Sequence, residues 1–266
     1  VRGTSEAGKD LPEILPALTA ASIMFRRGQL HVIAGQPGRG KTLFSLWYAI
    51  KSGLDVLYFS ADSDEGTVAN RATAVLLGKT VNEIKEMRKT DAVCVLEDEL
   101  YDLSHRVRID PDPGPTMDSI YEETLAYIEL FGRCPAAIFV DNLMNIQAMH
   151  ESEWTGMRDA MRGLHRLARE TESAVIVLHH VSESESKPTK PAPMKALMGK
   201  VSALPETVLT VAMDGDQYHV CAVKNRDGVA DPDASTPITV YVDAPSMSLF
   251  NTHQELELAR TRRTWV

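Results

Sequence analysis

The sequence predicts an α/β fold: a mostly parallel central sheet flanked by helices, with an antiparallel C-terminal extension. Two patterns point to it. Up to about residue 180, short apolar runs alternate with stretches of helical period, and beyond that point strand-like runs follow one another across polar turns. A third observation is local: the apolar run LHVIAG, residues 30–35, leads straight into GQPGRGKT, and a helical pattern starts at Lys41.

With 266 residues, the chain can bury one substantial core, and its 44% hydrophobic content gives no reason to expect anything but a globular domain. We divide it into an N-terminal arm and lead-in, 1–28, a main α/β domain, 29–252, and a C-terminal tail, 253–266. A formal charge of −9 argues against a protein that coats nucleic acid with its whole surface, and leaves room for a local basic channel. No apolar run approaches the ~20 residues that span a bilayer, and no basic stretch leads into an apolar signal segment. The expectation is cytoplasmic, without a membrane partner. Cys94, Cys134 and Cys221 are odd in number and far apart, which suits neither a disulfide framework nor a zinc site, so they are expected as reduced core residues.

Along the chain, residues 1–10 lack any apolar period and read as a mobile arm, and 11–27, with two prolines, as a short helical or irregular lead-in. Residues 30–35 are the first buried strand. Leu43, Phe44, Leu46, Trp47 and Ile50 recur at helical spacing, with Gly53 as the stop. VLYFS, 56–60, is the second strand. Helices are expected at 67–77 and 81–88, a strand at 105–109, and a sharp break at DPDPGP, 110–115. A helix at 116–131 precedes the strand AAIFVD, 136–141. The stretch 154–170 is amphipathic, with Met157, Met161, Leu164 and Leu167 on one face. AVIVLHH, 174–180, is the fourth clear strand, and 208–213, 218–224 and 238–242 form the extension.

GQPGRGKT matches G-x-x-x-x-G-K-[ST]. Gly35, Gln36, Pro37, Gly38, Arg39, Gly40, Lys41, Thr42 and Leu43 are therefore the candidate phosphate cradle for ATP, with glycines that let backbone N–H groups wrap the phosphates at a helix N-terminus. In this motif the lysine reaches the β/γ oxygens and the Thr42 hydroxyl binds Mg²⁺. A second metal ligand belongs at the end of a neighbouring buried strand, where AAIFVD supplies Asp141. Hydrolysis also needs a carboxylate that orients water. Asp62, two residues past VLYFS, is best placed; Asp64 and Glu65 compete, and DSDE also reads as a helix cap.

Taken in order, GQLHVIAGQPGRGKT, YFSAD, AAIFVDN, VIVLHH and AVKNRDG resemble the RecA-like P-loop ATPases of the DnaB replicative-helicase and plasmid RepA helicase group, over 25–242. RadA, KaiC and phage recombinases share this core. The resemblance implies that Asp62 is the catalytic acid, although those relatives usually place Glu there. It makes His180, at the end of the fourth strand, the γ-phosphate sensor, and puts His179 on the opposite face. Relatives often carry a basic residue three positions later, where this chain has Glu183. KNRDG resembles the basic hairpin inserted into the adjacent subunit's ATP site, which implies that Lys224 and Arg226 act in trans like arginine fingers. An exposed hairpin with solubilising charges is the plainer alternative.

RecA-like cores turn the segments after the third and fourth strands, here 142–156 and 182–200, toward a central channel. The second carries Lys187, Lys190, Lys195 and Lys200 among Ser and Pro, and reads as flexible when free, either a DNA-contacting segment or a solvated linker. Trp154 is equally compatible with a base or with a packing contact. The resemblance implies a DNA-dependent ATPase assembled as a hexameric ring, or a filament, that moves on single-stranded DNA as helicase or recombination motor. A strand-annealing or strand-exchange protein of phage type, and a KaiC-like or loader-type nucleotide switch, are the alternatives.

Overall fold

In a computed structural model, residues 5–147 and 153–264 are described. The lead-in carries a short helix, α1 (Pro16–Ala20). Then come β1 (Leu30–Gly35), α2 (Lys41–Lys51), β2 (Val56–Ser60), α3 (Glu65–Leu77), α4 (Val81–Met87), α5 (Val93–Ser104) and β3 (Val107–Asp110). These are followed by α6 (Met117–Phe131), β4 (Ala137–Asp141), α7 (Glu153–Thr171) and β5 (Ala174–His180). The chain closes with β6 (Thr207–Asp214), β7 (Gln217–Asn225), β8 (Ile238–Asp243), β9 (Ser248–Phe250) and α8 (His253–Thr264).

The strands form one nine-stranded sheet among the described residues, in the order β3-β2-β4-β5-β1-β6-β7-β8-β9. Pairing is parallel from β3 through β6 and antiparallel from β6 to β9. This is the predicted architecture. The inner strands read as continuous apolar runs because both faces are covered. Ile33, Tyr58, Phe139 and Ile176 face Phe44, Trp47 and Val75 of α2 and α3, whereas Val32, Phe59, Val140 and Val177 face Ile120, Met161 and Leu164 of α6 and α7. With the sheet pinned on both sides, the C-terminal ends of β1, β2, β4 and β5 are held at one edge.

Several expectations need correction. Residues 5–10 are fastened rather than mobile: Gly8 N donates to Arg27 O at 2.8 Å, and Glu172 receives the Ser5 hydroxyl and the Glu6 amide. The third strand begins at Val107, not 105, because α5 runs on to Ser104. Of the three cysteines only Cys221 is buried; Cys94 is exposed on α5 and Cys134 is half-buried. The tail folds as α8, which buries Leu256 and is tied down by Arg260 to Asp216 and Asp243, and by Arg263 to Asp243. No helix among the described residues is long and apolar enough to cross a membrane.

Candidate nucleotide site

The turn from β1 into α2 makes the P-loop. Two of its glycines are required by contacts. A Cβ on Gly35 would lie 2.8 Å from the Val211 carbonyl oxygen. Gly40 has φ +87°, and a Cβ there would come within 2.6 Å of the Tyr218 ring and 2.7 Å of the Met213 sulfur. The Tyr218 hydroxyl donates to the Gly40 carbonyl at 3.0 Å, which fixes the loop from β7. Lys41 opens α2 with its side chain folded back, and Nζ donates to the carbonyls of Gly35 and Gln36, both at 3.1 Å. Burial pulls its ammonium below the usual lysine range, against the charges of Asp141 and Asp62.

Asp141 ends β4 and is 2% exposed. Its Oδ2 accepts the Thr42 hydroxyl at 2.7 Å and the Tyr58 hydroxyl at 3.2 Å, and Tyr58 in turn shares a 2.8 Å hydrogen bond with Ser45. Burial pushes the Asp141 carboxyl above the usual carboxylate range; the Thr42 hydrogen bond opposes this, and the Asp62 charge adds to it. A hydroxyl and a carboxylate converging beside a phosphate-shaped loop are hard oxygen donors. They suit Mg²⁺, which takes one or two protein ligands and completes its shell from water and phosphate. Tyr58 and Ser45 are site residues that the sequence did not single out, because inside VLYFS and a helical run they are indistinguishable from core.

The competing acids after β2 separate by their partners. Asp64 is the N-cap of α3 and accepts the Thr67 amide at 2.9 Å and the Thr67 hydroxyl at 2.6 Å. Glu65 lies in the first turn of α3 and is exposed. Asp62 is exposed and close enough that its charge acts on Lys41, Asp141 and His180. His180 pairs in register with Gly35 and is 3.4 Å from the Asn142 amide. Burial and Lys41 pull its imidazole below the ordinary range, while Asp62 opposes them. His179 is fully buried on the other face against the Met198 carbonyl, at 2.9 Å, and burial takes it down to about 4.

Lys224 and Arg226 are not part of this cluster. β7 runs antiparallel to β6, so Lys224 pairs with Val208, and Thr207 pairs with both Asn225 and His31. The KNRDG hairpin therefore sits at the N-terminal end of β1, whereas the P-loop is at its C-terminal end. At ~3.3 Å a step, Lys224 is level with Val32, three steps or roughly 10 Å along the strand from Gly35, and Arg226 is near the level of Leu30, five steps or roughly 17 Å away; both side chains are turned to the Ser202 and Ala203 carbonyls. Within one chain these cations cannot reach the phosphate cradle.

The segment after β5 is folded onto the core and is not a free linker. Val181 bridges to Leu197, Pro191, Ala192, Ala196 and Leu197 are buried, and Gln36 of the P-loop donates to Ser186 Oγ at 2.8 Å. Lys187, Lys190 and Lys195 are exposed, and the Lys200 side chain lies outside the described residues. So does 148–152 in the segment after β4. Trp154, 41% exposed, lies against Gly199, where an added Cβ would come within 3.0 Å of the indole. The two segments thus meet beside His180.

The family model described as the DnaB-like helicase C terminal domain matches residues 14–205, well over half of the chain. The chain belongs to the DnaB-like helicase C-terminal domain family. This DnaB-like domain is 36% identical over 244 residues to the Gene 65 protein of Mycobacterium phage L5, covering 87% of this chain and 88% of that protein. Among solved structures, the ATPase domain of G40P superposes with a TM-score of 0.79 at 17% identity, covering 94% of both chains. A DnaB-like replicative helicase, described with its interactions with primase, superposes with a TM-score of 0.78 at 17% identity; 91% of this DnaB-like domain matches 63% of that chain. These likenesses establish the RecA-like fold, and the family makes the domain a helicase-type ATPase.

Proposed function

We propose that the chain is the ATP-hydrolysing motor of a ring-forming helicase acting on single-stranded DNA. The observation that carries this reading is the division of the catalytic set across the sheet. The phosphate and metal ligands gather at one edge, and the basic hairpin projects from the other, so a complete site needs two subunits. The backbone N–H groups of 35–40, Pro37 excepted, cradle the triphosphate, Lys41 neutralises its β/γ oxygens, and Thr42 with Asp141 would hold Mg²⁺. The metal supplies charge neutralisation and orients the phosphates. Asp62 aligns the attacking water, helped by being the one acid of its loop not committed to a cap. Lys224 and Arg226 of the neighbour stabilise charge on the transferring phosphoryl group.

His180 is the group through which nucleotide state reaches the nucleic-acid segments. It contacts Asn142 at the start of one segment, and the other starts immediately after it. Exposed Lys187, Lys190 and Lys195, together with Lys200, follow the phosphate backbone of the strand. The test is ATP turnover with and without single-stranded oligonucleotide over a range of salt, with electron microscopy in a non-hydrolysable ATP analogue. Stimulation that weakens as salt rises, and rings, are expected. Turnover indifferent to DNA at every salt concentration would overturn the motor and favour a nucleotide switch.

A further inference from the structure

The base of the basic hairpin is built onto a single buried carboxylate. Glu206 immediately precedes β6, and its side chain is 7% exposed. Its Oε2 accepts the Leu30 amide at 3.0 Å, at the start of β1. Its Oε1 faces two guanidinium groups and an imidazole: Arg226 Nη1 at 3.8 Å, Arg169 Nη2 at 4.0 Å and His165 Nε2 at 3.7 Å. The backbone repeats the link, since Arg226 N donates to Glu206 O at 3.1 Å. Nearby, Lys224 Nζ donates to the carbonyls of Ser202 and Ala203, at 2.6 and 3.1 Å, and Arg226 Nη2 to Ala203 at 3.3 Å.

A neutral amide in place of Glu206 would satisfy Leu30 N at a smaller desolvation cost. Serving Leu30 therefore does not explain the charge or the second oxygen; the two arginines do. Their distances are those of loose ion pairs. Arg226, itself half-exposed, is steered by Glu206 without being clamped, and when it swings away Arg169 and His165 still face the carboxylate. Burial and the Arg226 charge lower the Lys224 ammonium, and Glu206 offsets part of this, while the Ser202 and Ala203 carbonyls hold Lys224 in place.

We propose that Glu206 is the positioning residue of the trans-acting pair, holding Arg226 beside Lys224 at the outer end of β7 in the orientation that meets a neighbouring subunit's nucleotide. The proposal rests on the reading of that hairpin as acting in trans. The experiment is subunit mixing in the full chain with ATP and single-stranded oligonucleotide. Lys41→Ala subunits have a dead site and an intact hairpin, and Arg226→Ala subunits have the reverse. Mixed, they should recover turnover that neither shows alone. Glu206→Gln alone should lower kcat about three- to tenfold with KM for ATP unchanged, the effect of a loosened ion pair on a transition-state contact.

The decisive arm sorts Glu206 with the hairpin or with the fold. Turnover per Glu206→Gln subunit should rise on adding Lys41→Ala subunits, whose hairpins are intact, and stay level on adding Arg226→Ala subunits, whose intact sites are served by the same weakened hairpins. Glu206→Asp, which keeps the charge but withdraws it from Arg226, should give an intermediate kcat and the same sorting, and it stands in if the amide variant does not fold. Wild-type kcat in both Glu206 variants, a raised KM, or a loss that Lys41→Ala subunits do not relieve would overturn the positioning role. Failure of the Lys41→Ala and Arg226→Ala pair to complement would instead sink the trans reading, and the role of Glu206 with it.

Discussion

Replacing Gly40 with Ala tests whether the P-loop is shaped by packing as well as by backbone freedom. Two separate costs apply. At φ +87° an L-residue meets the left-handed penalty, roughly 1–2 kcal/mol. The new Cβ also overlaps Tyr218 and Met213. The Tyr218 ring cannot retreat easily, because it is fully buried, stacks on Phe44 at 6.1 Å and is anchored to the Gly40 carbonyl. Overpacking of this kind costs about 1–3 kcal/mol. Gly38 supplies the control: its φ is +69°, and an added Cβ would meet nothing within 4 Å. Gly38→Ala should bear the backbone term alone. At roughly 2–4 °C per kcal/mol for a domain of this size, Gly40→Ala should melt about 2–12 °C below Gly38→Ala in nucleotide-free thermal unfolding followed by circular dichroism. Coincident midpoints would show that Tyr218 and Met213 impose nothing on the loop.

Three further outcomes follow from the same geometry. Because the folded-state carboxyl of Asp141 is raised, its ionised form opposes folding; the contribution favours the fold below the unfolded value near 4 and is lost as pH rises through the raised value. Asp141→Asn should therefore raise the nucleotide-free melting temperature at pH 7 to 8, with the gain shrinking toward pH 4, while Mg²⁺-dependent turnover is lost; a lowered midpoint at pH 8 would contradict this. His31 and His179 are buried neutral, and burial depresses both to about 4, so their contribution is complete above the unfolded value near 6.5 and is lost as pH falls toward 4. Urea unfolding should show uptake by these two groups growing from about one proton at pH 6.5 to nearly two at pH 5, roughly 2.7 kcal/mol per pH unit at most, and a pH-independent midpoint there would refute it. Asp62→Asn should reduce kcat by at least about a hundredfold with nucleotide affinity kept, whereas Asp64→Asn, still able to cap α3, should leave turnover within about twofold; reversal of that order would move the catalytic acid to Asp64.

The elements that the sequence made legible are those whose burial writes a period. β1, β2 and β5 are apolar on both faces and end where their runs end, and α7 repeats Met157, Met161, Leu164 and Leu167 on one stripe. α5 and α8 were missed for the converse reason. α5 buries Leu96 and Leu103 but leaves Val95 and Tyr101 in solvent, so its apolar residues do not form one face. α8 buries Leu256 and is held by Arg260 and Arg263 reaching acids on the β6–β7 turn and at the end of β8, contacts that no local pattern announces. In the candidate site, Lys41, Thr42 and Asp141 were legible as candidates because a motif or a strand end marks them, and the fold brings them together. Tyr58, Ser45 and Glu206 were not, since each acquires its meaning from a partner far along the chain.

That contrast bears on how the proposed motor would be regulated. Gln36 in the P-loop holds Ser186, the segment after β5 continues through Met198, whose carbonyl binds His179, to Ser202 and Ala203, and there its carbonyls take Lys224 and Arg226. A single stretch of about twenty residues therefore touches the phosphate cradle at one end and the outgoing hairpin at the other, with the exposed lysines between. A strand bound along those lysines need not act at a distance. On the proposed function, shifting this stretch would alter the subunit's own cradle and, through the hairpin, the site of its neighbour, so DNA stimulation and cooperativity between subunits would share one physical element. Lengthening the stretch by two glycines after Lys195 should then reduce both together, seen as a lower ratio of DNA-stimulated to basal turnover and a Hill coefficient for ATP closer to one. Loss of stimulation with cooperativity intact would separate the two and show that the hairpin takes its orders from elsewhere.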